Sequence, residues 1–539
     1  MKRRSFLQSS ALGAAALTAI PLTSCGTKEK KNTVPVSEVD DFELNEKSVD
    51  ELQTMMVDNT ISSEEIVQLY LDRIEAVDKN GPSLNSVMEI NPDALEQARQ
   101  LDIERSEGKV RGSLHGIPVM IKDNIDTGDK MMTTAGSLAL VGHIAKKDSP
   151  LAAQLRKAGA IILAKTNLSE WANFRSSRSS SGWSSRGGQV RNPYILDHSP
   201  CGSSSGSGAA VSASLCTLAI GTETNGSITC PSSSNGIVGI KPTVGLISRS
   251  GIIPISHTQD TAGPMCRTVK DAAYLLGALT EKDDNDIATH KSREKIHNDY
   301  AQFLDANGLK GARIGVGRGY MGFHEAADPV FEKAYQVIKE SGADLIDLED
   351  TIGKVDGSDS FNVLLYEFKD GVNKYLANTD ENIPVKNLEE LIKFNKENEE
   401  KAMPWFKQEI LEQAQEKGDL SSKEYTEALE RVLKAYRQDG IDKVMDFNNL
   451  DAIVAPTRGF SWTIDLVNGD HGRGGSSSAA ARSGYPSITL PAGFAFDLPL
   501  GISFFGRAYS EPTLLKFAYA FEQASMQRRK PGFIAMREY

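Results

Sequence analysis

Short apolar segments alternate with segments of helical spacing along most of this sequence, and this alternation restricts the chain to few folds. The clearest unit is DSPLAAQLRKAGAIILAKTN at 148–167. Ser149 can cap a helix whose first turn contains Pro150, and Gly159 marks the end of that helix. The following AIILA at 160–164 is continuously apolar, which is typical of a strand buried on both faces. The alternation therefore predicts an α/β fold with a largely buried sheet.

The same alternation recurs through the rest of the chain. Residues 64–77 carry apolar side chains at helical spacing, and GIPVMIKDN at 116–124 has the pattern of a strand that leads into a loop. We expect a further helix at 329–342 and further strands at 311–317, 343–348, 451–456 and 486–491. The stretch at about 387–440 is charged and helical in pattern, which predicts a helical insertion.

The first residues have the pattern of a targeting segment. Residues 1–24 begin with a basic cluster, continue with an apolar stretch too short to span a bilayer, and end in small residues. The RR pair resembles a twin-arginine signal, and LTSC, which ends at Cys25, resembles a lipobox. We expect a signal peptide at 1–24, a lipidated Cys25 and a polar tether at 25–45. These features predict an exported periplasmic or cell-envelope lipoprotein that meets the membrane only through its lipid. The alternative is a plain secretory signal in which Cys25 has no role.

Charge and cysteine content exclude several classes of protein. The 539-residue chain has a net charge of −12, and this acidic balance argues against nucleic-acid binding. No C-x-x-C pair and no cysteine–histidine cluster at zinc spacing occurs, so we expect no metal site. For Cys201, Cys216, Cys230 and Cys266 we favour the interpretation as small buried residues, and leave disulfide pairing in an oxidising compartment open.

Two short motifs match known patterns but lack the context that those patterns need. GVGRG at 315–319 follows a predicted strand, but Tyr320 stands where a dinucleotide fingerprint needs its third glycine. Gly202-x-Ser204-x-Gly206 matches the nucleophile elbow of α/β-hydrolases, yet the preceding LDHSPC does not have the pattern of a strand. We interpret the first as a turn and the second as a chance product of a serine- and glycine-rich run.

Three separate stretches together carry a more specific signal. They are GIPVMIKDN with Lys122, CGSSSGS with Ser203, and TETNGSITCP with Ser227. In their order and spacing they resemble the amidase signature family, which uses a Ser–cis-Ser–Lys triad and no histidine. The stretches NGIVGIKPTVGLISRSGIIPIS and DTAGPM continue the likeness, which covers nearly the whole chain after the tether.

The resemblance implies a fold and three catalytic roles. The fold is a single domain over 46–537, with a central mixed β-sheet covered by helices on both faces. Lys122 is matched to the base, Ser203 to the bridging serine after a cis peptide at Gly202–Ser203, and Ser227 to the nucleophile. A serine hydroxyl needs a base beside it, and a lysine can serve only when burial keeps it neutral.

The family likeness also implies residues around the reacting amide. The oxyanion hole corresponds to the backbone N–H groups of Thr224, Asn225, Gly226 and Ser227. Substrate contacts are predicted for Ser204, Trp171, Asn173 and Tyr366, with core packing or a solvated helix face as the structural alternative. The loop 171–188 and the insertion 387–440 are expected to form a wall that stops a peptide after its terminal amide.

Within the family, LHGIPVMIKDNI, KTNLSEWANF and GTETNGSITCP are most similar to bacterial peptide amidases, which convert the C-terminal amide of a peptide to the acid and ammonia. Asn225 stands where many members carry glycine, and this subgroup tolerates a side chain there. We expect a monomer without a cofactor that acts on a peptide or small-molecule amide. The alternatives are a general aliphatic or aryl amidase, the tRNA-transamidating members of the family, against which the export signal argues, and a lipoprotein that binds peptides without turnover.

Overall fold

The computed structural model of the protein describes residues 41–292 and 294–536. The predicted signal peptide, Cys25 and most of the predicted tether lie outside these ranges, so those assignments stay predictions from the sequence. Within the described ranges, no helix combines the length and apolar character that crossing a bilayer requires. In the same ranges, no group of three or more His, Cys, Asp or Glu side chains is arranged to hold a metal ion.

Eleven strands form one mixed sheet at the centre of the described chain. The strands, in chain order, are β1 Val87–Ile90, β2 Pro118–Lys122, β3 Ile161–Thr166, β4 Trp183–Ser184, β5 Gly188–Gln189, β6 Leu218–Glu223, β7 Val238–Lys241, β8 Thr261–Cys266, β9 Arg313–Gly317, β10 Asp344–Leu348, β11 Ala452–Pro456, β12 Ser487–Ala495 and β13 Leu498–Phe505. Across the sheet they follow the order β1-β3-β2-β6-β8-β7-β12-β13-β11-β9-β10, and β4 pairs with β5 separately.

Strand direction is mixed, as the family resemblance implies. β2 runs parallel to β3 and β6, and β9 runs parallel to β10 and β11. The pairs β1–β3, β6–β8, β7–β8, β7–β12, β12–β13 and β11–β13 are antiparallel. Every residue of β2, β3 and β6 is buried, as parallel strands covered on both faces require. This sheet and the helices that pack on it confirm the predicted α/β class.

The α-helices of the described chain are α1 Val49–Val57, α2 Ser63–Arg73, α3 Ala94–Ser106, α4 Pro150–Lys157, α5 Ser205–Ser212, α6 Thr229–Ser234, α7 Val269–Leu279, α8 Asp328–Glu340, α9 Gly357–Leu376, α10 Leu388–Glu397, α11 Glu399–Ala402, α12 Glu409–Gln415, α13 Lys423–Tyr436, α14 Lys443–Asn448, α15 Ser477–Ser483 and α16 Glu511–Ser525. Helices α10 to α13 occupy the charged stretch for which an insertion is predicted.

The unit at 148–167 folds as its sequence predicts. The Ser149 hydroxyl accepts a hydrogen bond from the backbone N–H of Ala152, and Pro150 is the first residue of α4. Gly159 has a φ of +78°, a left-handed conformation that glycine adopts without steric cost. Two further predictions are confirmed: residues 196–201 form no strand, and a short 3₁₀ turn follows GVG in GVGRG.

Candidate active site

Lys122 is the last residue of β2, and its side chain is fully buried. β2 runs parallel to β6, with Ile121 opposite Ile220, so the carboxyl ends of the two strands lie side by side. Lys122 Nζ is therefore 2.8 Å from Thr222 Oγ1 and 3.3 Å from the Thr222 carbonyl oxygen. On a third side it lies 2.7 Å from Ser203 Oγ.

These three contacts suit either form of the amine, so the pKa of Lys122 decides which form is present. Burial lowers the pKa of Lys122 to about 7, because desolvation penalises the ammonium form. A neutral amine has two N–H donors and one lone pair. The Thr222 carbonyl can only accept, and Thr222 Oγ1 lies within hydrogen-bond distance of Nζ as well as accepting from Asn124 Nδ2 at 3.0 Å. In the neutral form, directing both donors to Thr222 leaves the lone pair to accept from the hydroxyl of Ser203.

Ser203 follows a cis peptide bond at Gly202–Ser203 and immediately precedes the turn into α5. Its carbonyl accepts a hydrogen bond from the Ser169 backbone N–H at 3.1 Å. A Cβ at Gly202 would lie 2.3 Å from Ser169 Oγ, so only glycine fits this approach. The next residue, Ser204, donates its backbone N–H to the Ser227 carbonyl at 3.1 Å. The segment that carries Ser203 is thus bonded directly to the segment that carries Ser227.

Residues 224–227 connect β6 to α6 and line a cavity of about 220 Å³. Gly226 has a φ of +83°, which sets the turn before Ser227. No hydrogen-bond acceptor for the backbone N–H groups of these four residues occurs in the described part of the chain. Unpaired N–H groups beside a cavity can stabilise a negatively charged oxygen. The placement suits the predicted oxyanion hole.

Carboxylates hold the two ends of this turn. Glu223 Oε2 accepts from the backbone N–H groups of Ile228 at 2.8 Å and Thr229 at 2.9 Å, at the start of α6. Asp260 Oδ1 accepts from Thr224 Oγ1 at 2.5 Å, and burial raises the pKa of Asp260 to about 6. With both ends bonded to β-strand residues or their loops, the turn is fixed around its unpaired N–H groups.

A buried carboxylate on α9 supports the Asp260 loop in turn. Glu367 accepts hydrogen bonds from Thr258 Oγ1 at 3.0 Å and from the Tyr425 hydroxyl at 2.8 Å. Asp260 also accepts from the backbone N–H groups of Ile255 and Ser256, both at 2.8 Å. The helices of the charged insertion therefore reach the oxyanion turn through a continuous set of hydrogen bonds.

The structure separates the predicted substrate contacts. Asn173 lines the cavity together with Ser227. Ser204 does not line it, because its hydroxyl donates to the Thr222 carbonyl at 3.0 Å. Trp171 is buried in a hydrophobic cluster with Phe174. Tyr366 lies away from the cavity, where its hydroxyl donates to Glu424 at 2.6 Å.

Only one of the two segments expected to form the wall lines the cavity that Ser227 lines. Asn173, Phe174 and Ser181 of the loop 171–188 line the cavity, whereas the described residues of the insertion do not. The insertion contacts the loop through Arg175. Arg175, paired with Glu170 at 2.7 Å, donates to the carbonyl oxygens of Ala402 at 2.6 Å and Phe406 at 3.3 Å. Leu420 of the insertion lines a second cavity that borders the same turn, so the role of the insertion as a wall stays a prediction.

A larger cavity of about 730 Å³ lies beside the one that Ser227 lines, and the two share the lining residues Ala172, Thr224 and Ile255. Its lining includes the apolar run 252–255, Asn124 and Thr222, and one face of α9. The turn that carries Ser227 is therefore bordered by two spaces of different size and chemistry.

Sequence reasoning missed Thr222, Glu223 and Asp260 as parts of the site. Thr222 follows an apolar run near the end of β6, just as Lys122 follows an apolar run at the end of β2. This shared pattern is the signal that could have identified Thr222. Asp260 stands at the head of DTAGPM, a stretch recognised only for its family likeness. The structural role of each depends on contacts between strands that are distant in sequence.

Cys201 and Cys230 form a disulfide bond, which corrects the interpretation of all four cysteines as simple buried residues. Cys216 and Cys266 are free and buried, as expected. The bond joins the segment before Ser203 to the helix after Ser227, and both half-cystines line the cavity. It adds a covalent connection to the backbone hydrogen bond between the two serine segments.

Removing this disulfide bond should lower the free energy of unfolding. We expect the double variant Cys201→Ala with Cys230→Ala to lose about 2–4 kcal/mol of unfolding free energy, because the open chain has more freedom when unfolded. Denaturant unfolding with and without reductant measures this. Reductant should lower the stability of the wild type and leave the double variant unchanged; equal midpoints for the wild type in both conditions would contradict the expectation.

Comparison with known proteins gives a consistent result. The sequence profile of the family described as Amidase matches residues 65–515. A probable amidase of Arabidopsis thaliana is 41% identical over 506 residues, covering 92% of this chain and 93% of that protein. A putative amidase of Schizosaccharomyces pombe is 36% identical over 531 residues, covering 93% of this chain and 89% of that protein. Among solved structures, native peptide amidase from Stenotrophomonas maltophilia has 46% sequence identity to this chain. Its crystal structure matches with a TM-score of 0.87, covering 91% of this chain and 99% of that one.

Proposed function

The chain belongs to the amidase family, and on that premise we propose that this amide hydrolase works through Lys122, Ser203 and Ser227 on peptides that end in a carboxamide. The observation that carries the triad is the buried Lys122 amine, 2.7 Å from Ser203 Oγ and with a pKa lowered to about 7. The likeness to the Stenotrophomonas peptide amidase supports the substrate class.

Acylation needs a route for one proton. Ser227 Oγ attacks the amide carbon, and the carbonyl π pair moves onto oxygen. The Ser227 proton passes to Ser203 Oγ, which gives its own proton to the Lys122 lone pair. A hydroxyl can accept and donate at once, so Ser203 extends the reach of the lysine without changing its own charge.

The negative oxygen then lies among the unpaired N–H groups of residues 224–227. Because the turn is held by Glu223 and Asp260 before substrate arrives, these dipoles need little reorganisation during the reaction. One such donor is typically worth about 10²–10³ in rate.

Collapse of this intermediate breaks the C–N bond. The proton on Lys122 returns through Ser203 to the leaving nitrogen, which departs as ammonia. A water molecule then adds to the acyl-serine and gives its proton to the same relay. The second collapse frees the carboxylic acid and restores the Ser227 hydroxyl.

The substrate class can be tested with one peptide in three forms: its C-terminal amide, its free acid and a version extended by one residue. We expect the amide to be converted to the acid with one equivalent of ammonia, and the other two to remain intact. The reason is steric: a carboxamide-specific site leaves room for ammonia beyond the reacting carbon and no room for a continuing chain. Mass spectrometry and ammonia release measure the outcome.

Simple aliphatic amides and side-chain amides of Asn and Gln are the matched comparison. Equal rates for a simple aliphatic amide and the peptide amide would favour a general amidase. Cleavage of internal peptide bonds would contradict a carboxamide-specific site. Binding of the peptide amide without any ammonia release would favour a peptide-binding protein.

A further inference from the structure

Arg458 is a cavity-lining residue whose hydrogen-bonding capacity is unused. It follows β11 by two residues and lines the same cavity as Ser227. Its guanidinium carbon lies 5.7 Å from the centre of the Trp462 ring. Within the described ranges it makes no hydrogen bond and no ion pair within 4 Å, and its Nε is buried without a partner. Five fixed donors on a planar cation are costly to leave unpaired in a cavity.

The nearest carboxylate does not satisfy this cation. Asp470 also lines the cavity, but its oxygens accept from the Ser181 N–H at 2.9 Å, from Ser181 Oγ at 2.5 Å and from Trp462 Nε1 at 3.1 Å. Its charge acts on Arg458 from beyond ion-pair distance. Asp470 thus positions Trp462 and the loop, and Arg458 remains available to a molecule in the cavity.

Asn173 supplies an unused acceptor in the same cavity. Its Nδ2 donates to Ser181 Oγ at 3.1 Å, while its Oδ1 is buried without a partner. Asn173 has a φ of +74° and follows Trp171 and Ala172 at +50° and +52°. Three successive non-glycine residues in the left-handed region are disfavoured, and such backbone persists where the surroundings require it. Here it places the Asn173 side chain in the wall of the cavity.

We propose that Arg458 and Asn173 bind the peptide unit that precedes the scissile carboxamide, Arg458 donating to its carbonyl oxygen and Asn173 Oδ1 accepting from its N–H. A trans peptide unit presents these two groups on opposite sides, so a donor and an acceptor on separate elements are needed. Arg458 follows β11 and Asn173 belongs to the loop 171–188. This inference rests on the proposed function, and it explains how a peptide amide is distinguished from a simple amide.

The first test compares two substrates and two variants. Arg458→Met should lower kcat/KM for an N-acetyl dipeptide amide about ten- to a hundredfold, the range expected for a lost hydrogen bond to a charged group. It should change kcat/KM for propionamide less than about twofold, because that substrate has no second peptide unit. Arg458→Lys should recover part of the loss. Arg529→Met is the control, since Arg529 also lies over an aromatic ring, Phe494 at 4.7 Å, but does not line the cavity.

The second test addresses Asn173 through the substrate. Methylating the nitrogen of the preceding peptide unit removes the N–H that Asn173 would accept. In the wild type we expect this to lower kcat/KM about tenfold, mainly through KM. In Asn173→Gly, which keeps the left-handed backbone, the penalty should shrink to about twofold. Asn173→Asp, which retains an acceptor oxygen, should restore the wild-type penalty. A penalty of equal size in the wild type and in Asn173→Gly would overturn the contact.

The tests separate this inference from the proposed function. If the wild type does not hydrolyse the dipeptide amide, the proposed substrate class fails. If the wild type prefers the dipeptide amide and Arg458→Met keeps that preference while remaining folded by circular dichroism, the peptide-unit contact alone is overturned. If Arg458→Met is unfolded, Arg458→Lys takes its place. The compared quantity is again kcat/KM for the dipeptide amide divided by kcat/KM for propionamide, and a ratio equal to that of the wild type would overturn the contact.

Discussion

Ser227→Ala is expected to lower amide turnover by at least about 10⁴-fold, the scale seen when a serine nucleophile is removed, while the protein stays folded. Ser227 is nearly buried and lines the cavity, and its hydroxyl makes no hydrogen bond on which the described fold depends. Its carbonyl, which accepts from Ser204, is unchanged by the substitution. Ammonia release measures the rate, and thermal unfolding measures the fold.

Ser232→Ala is the matched control. Ser232 lies in α6, only a few residues beyond Ser227, and its buried hydroxyl has no partner either. It should retain turnover within about twofold. A fluorophosphonate should modify Ser227 in the wild type, as located by mass spectrometry of the labelled peptide. Labelling of Ser204 in its place would support the nucleophile-elbow pattern and contradict the triad.

The run of serines at 203–205 shows where the sequence is informative and where it is not. In the folded chain, Ser203 bonds to Lys122, Ser204 to the Thr222 carbonyl and Ser205 to the Cys201 carbonyl. Three identical side chains have three different partners, because the backbone changes direction where α5 begins. Composition and spacing alone predict none of these directions; the family likeness selects Ser203 because it supplies the order of the motifs.

Local patterns predict the elements that carry the site more reliably than they predict its walls. β2, β3 and α4 follow from apolar runs and capping residues within about 20 residues of sequence. The loop that lines the cavity depends instead on Arg175, whose acceptors Ala402 and Phe406 are more than 200 residues away. Trp171 and Tyr366 illustrate the same difficulty, since an aromatic side chain in a promising motif packs equally well into a core.

The pairing of cysteines is a further feature that sequence could not decide. Four cysteines permit several arrangements, and only the approach of the two serine segments makes Cys201 and Cys230 neighbours. Arg458 lines the same cavity as Ser227 although nothing in its local sequence marks it, whereas the family likeness had already picked out Asn173. A cavity-lining residue outside the family motifs, such as Arg458, is identified only when the elements that surround the cavity are placed.

Lys122→Met is expected to remove nearly all turnover, and Lys122→Arg to fail to restore it. A guanidinium stays charged at any pH at which the protein is folded, so it has no lone pair to accept the Ser203 proton. In the wild type, kcat/KM should rise with pH and level off above about 7, because burial lowers the pKa of Lys122 to about 7 and only its neutral form is the base. The pH profile of ammonia release measures this acid limb.

Two variants identify the group responsible for that limb. The negative charge of Asp260 raises the pKa of Lys122, so Asp260→Asn should move the acid limb to lower pH, whatever it does to the maximal rate. Lys241 is the matched control: it is also fully buried, burial lowers its pKa to about 8, and its Nζ donates to the Tyr485 carbonyl at 2.7 Å. Lys241→Met should reduce stability and leave the limb in place. If the limb moves in Lys241→Met, or moves to higher pH in Asp260→Asn, then a group other than Lys122 controls the proton.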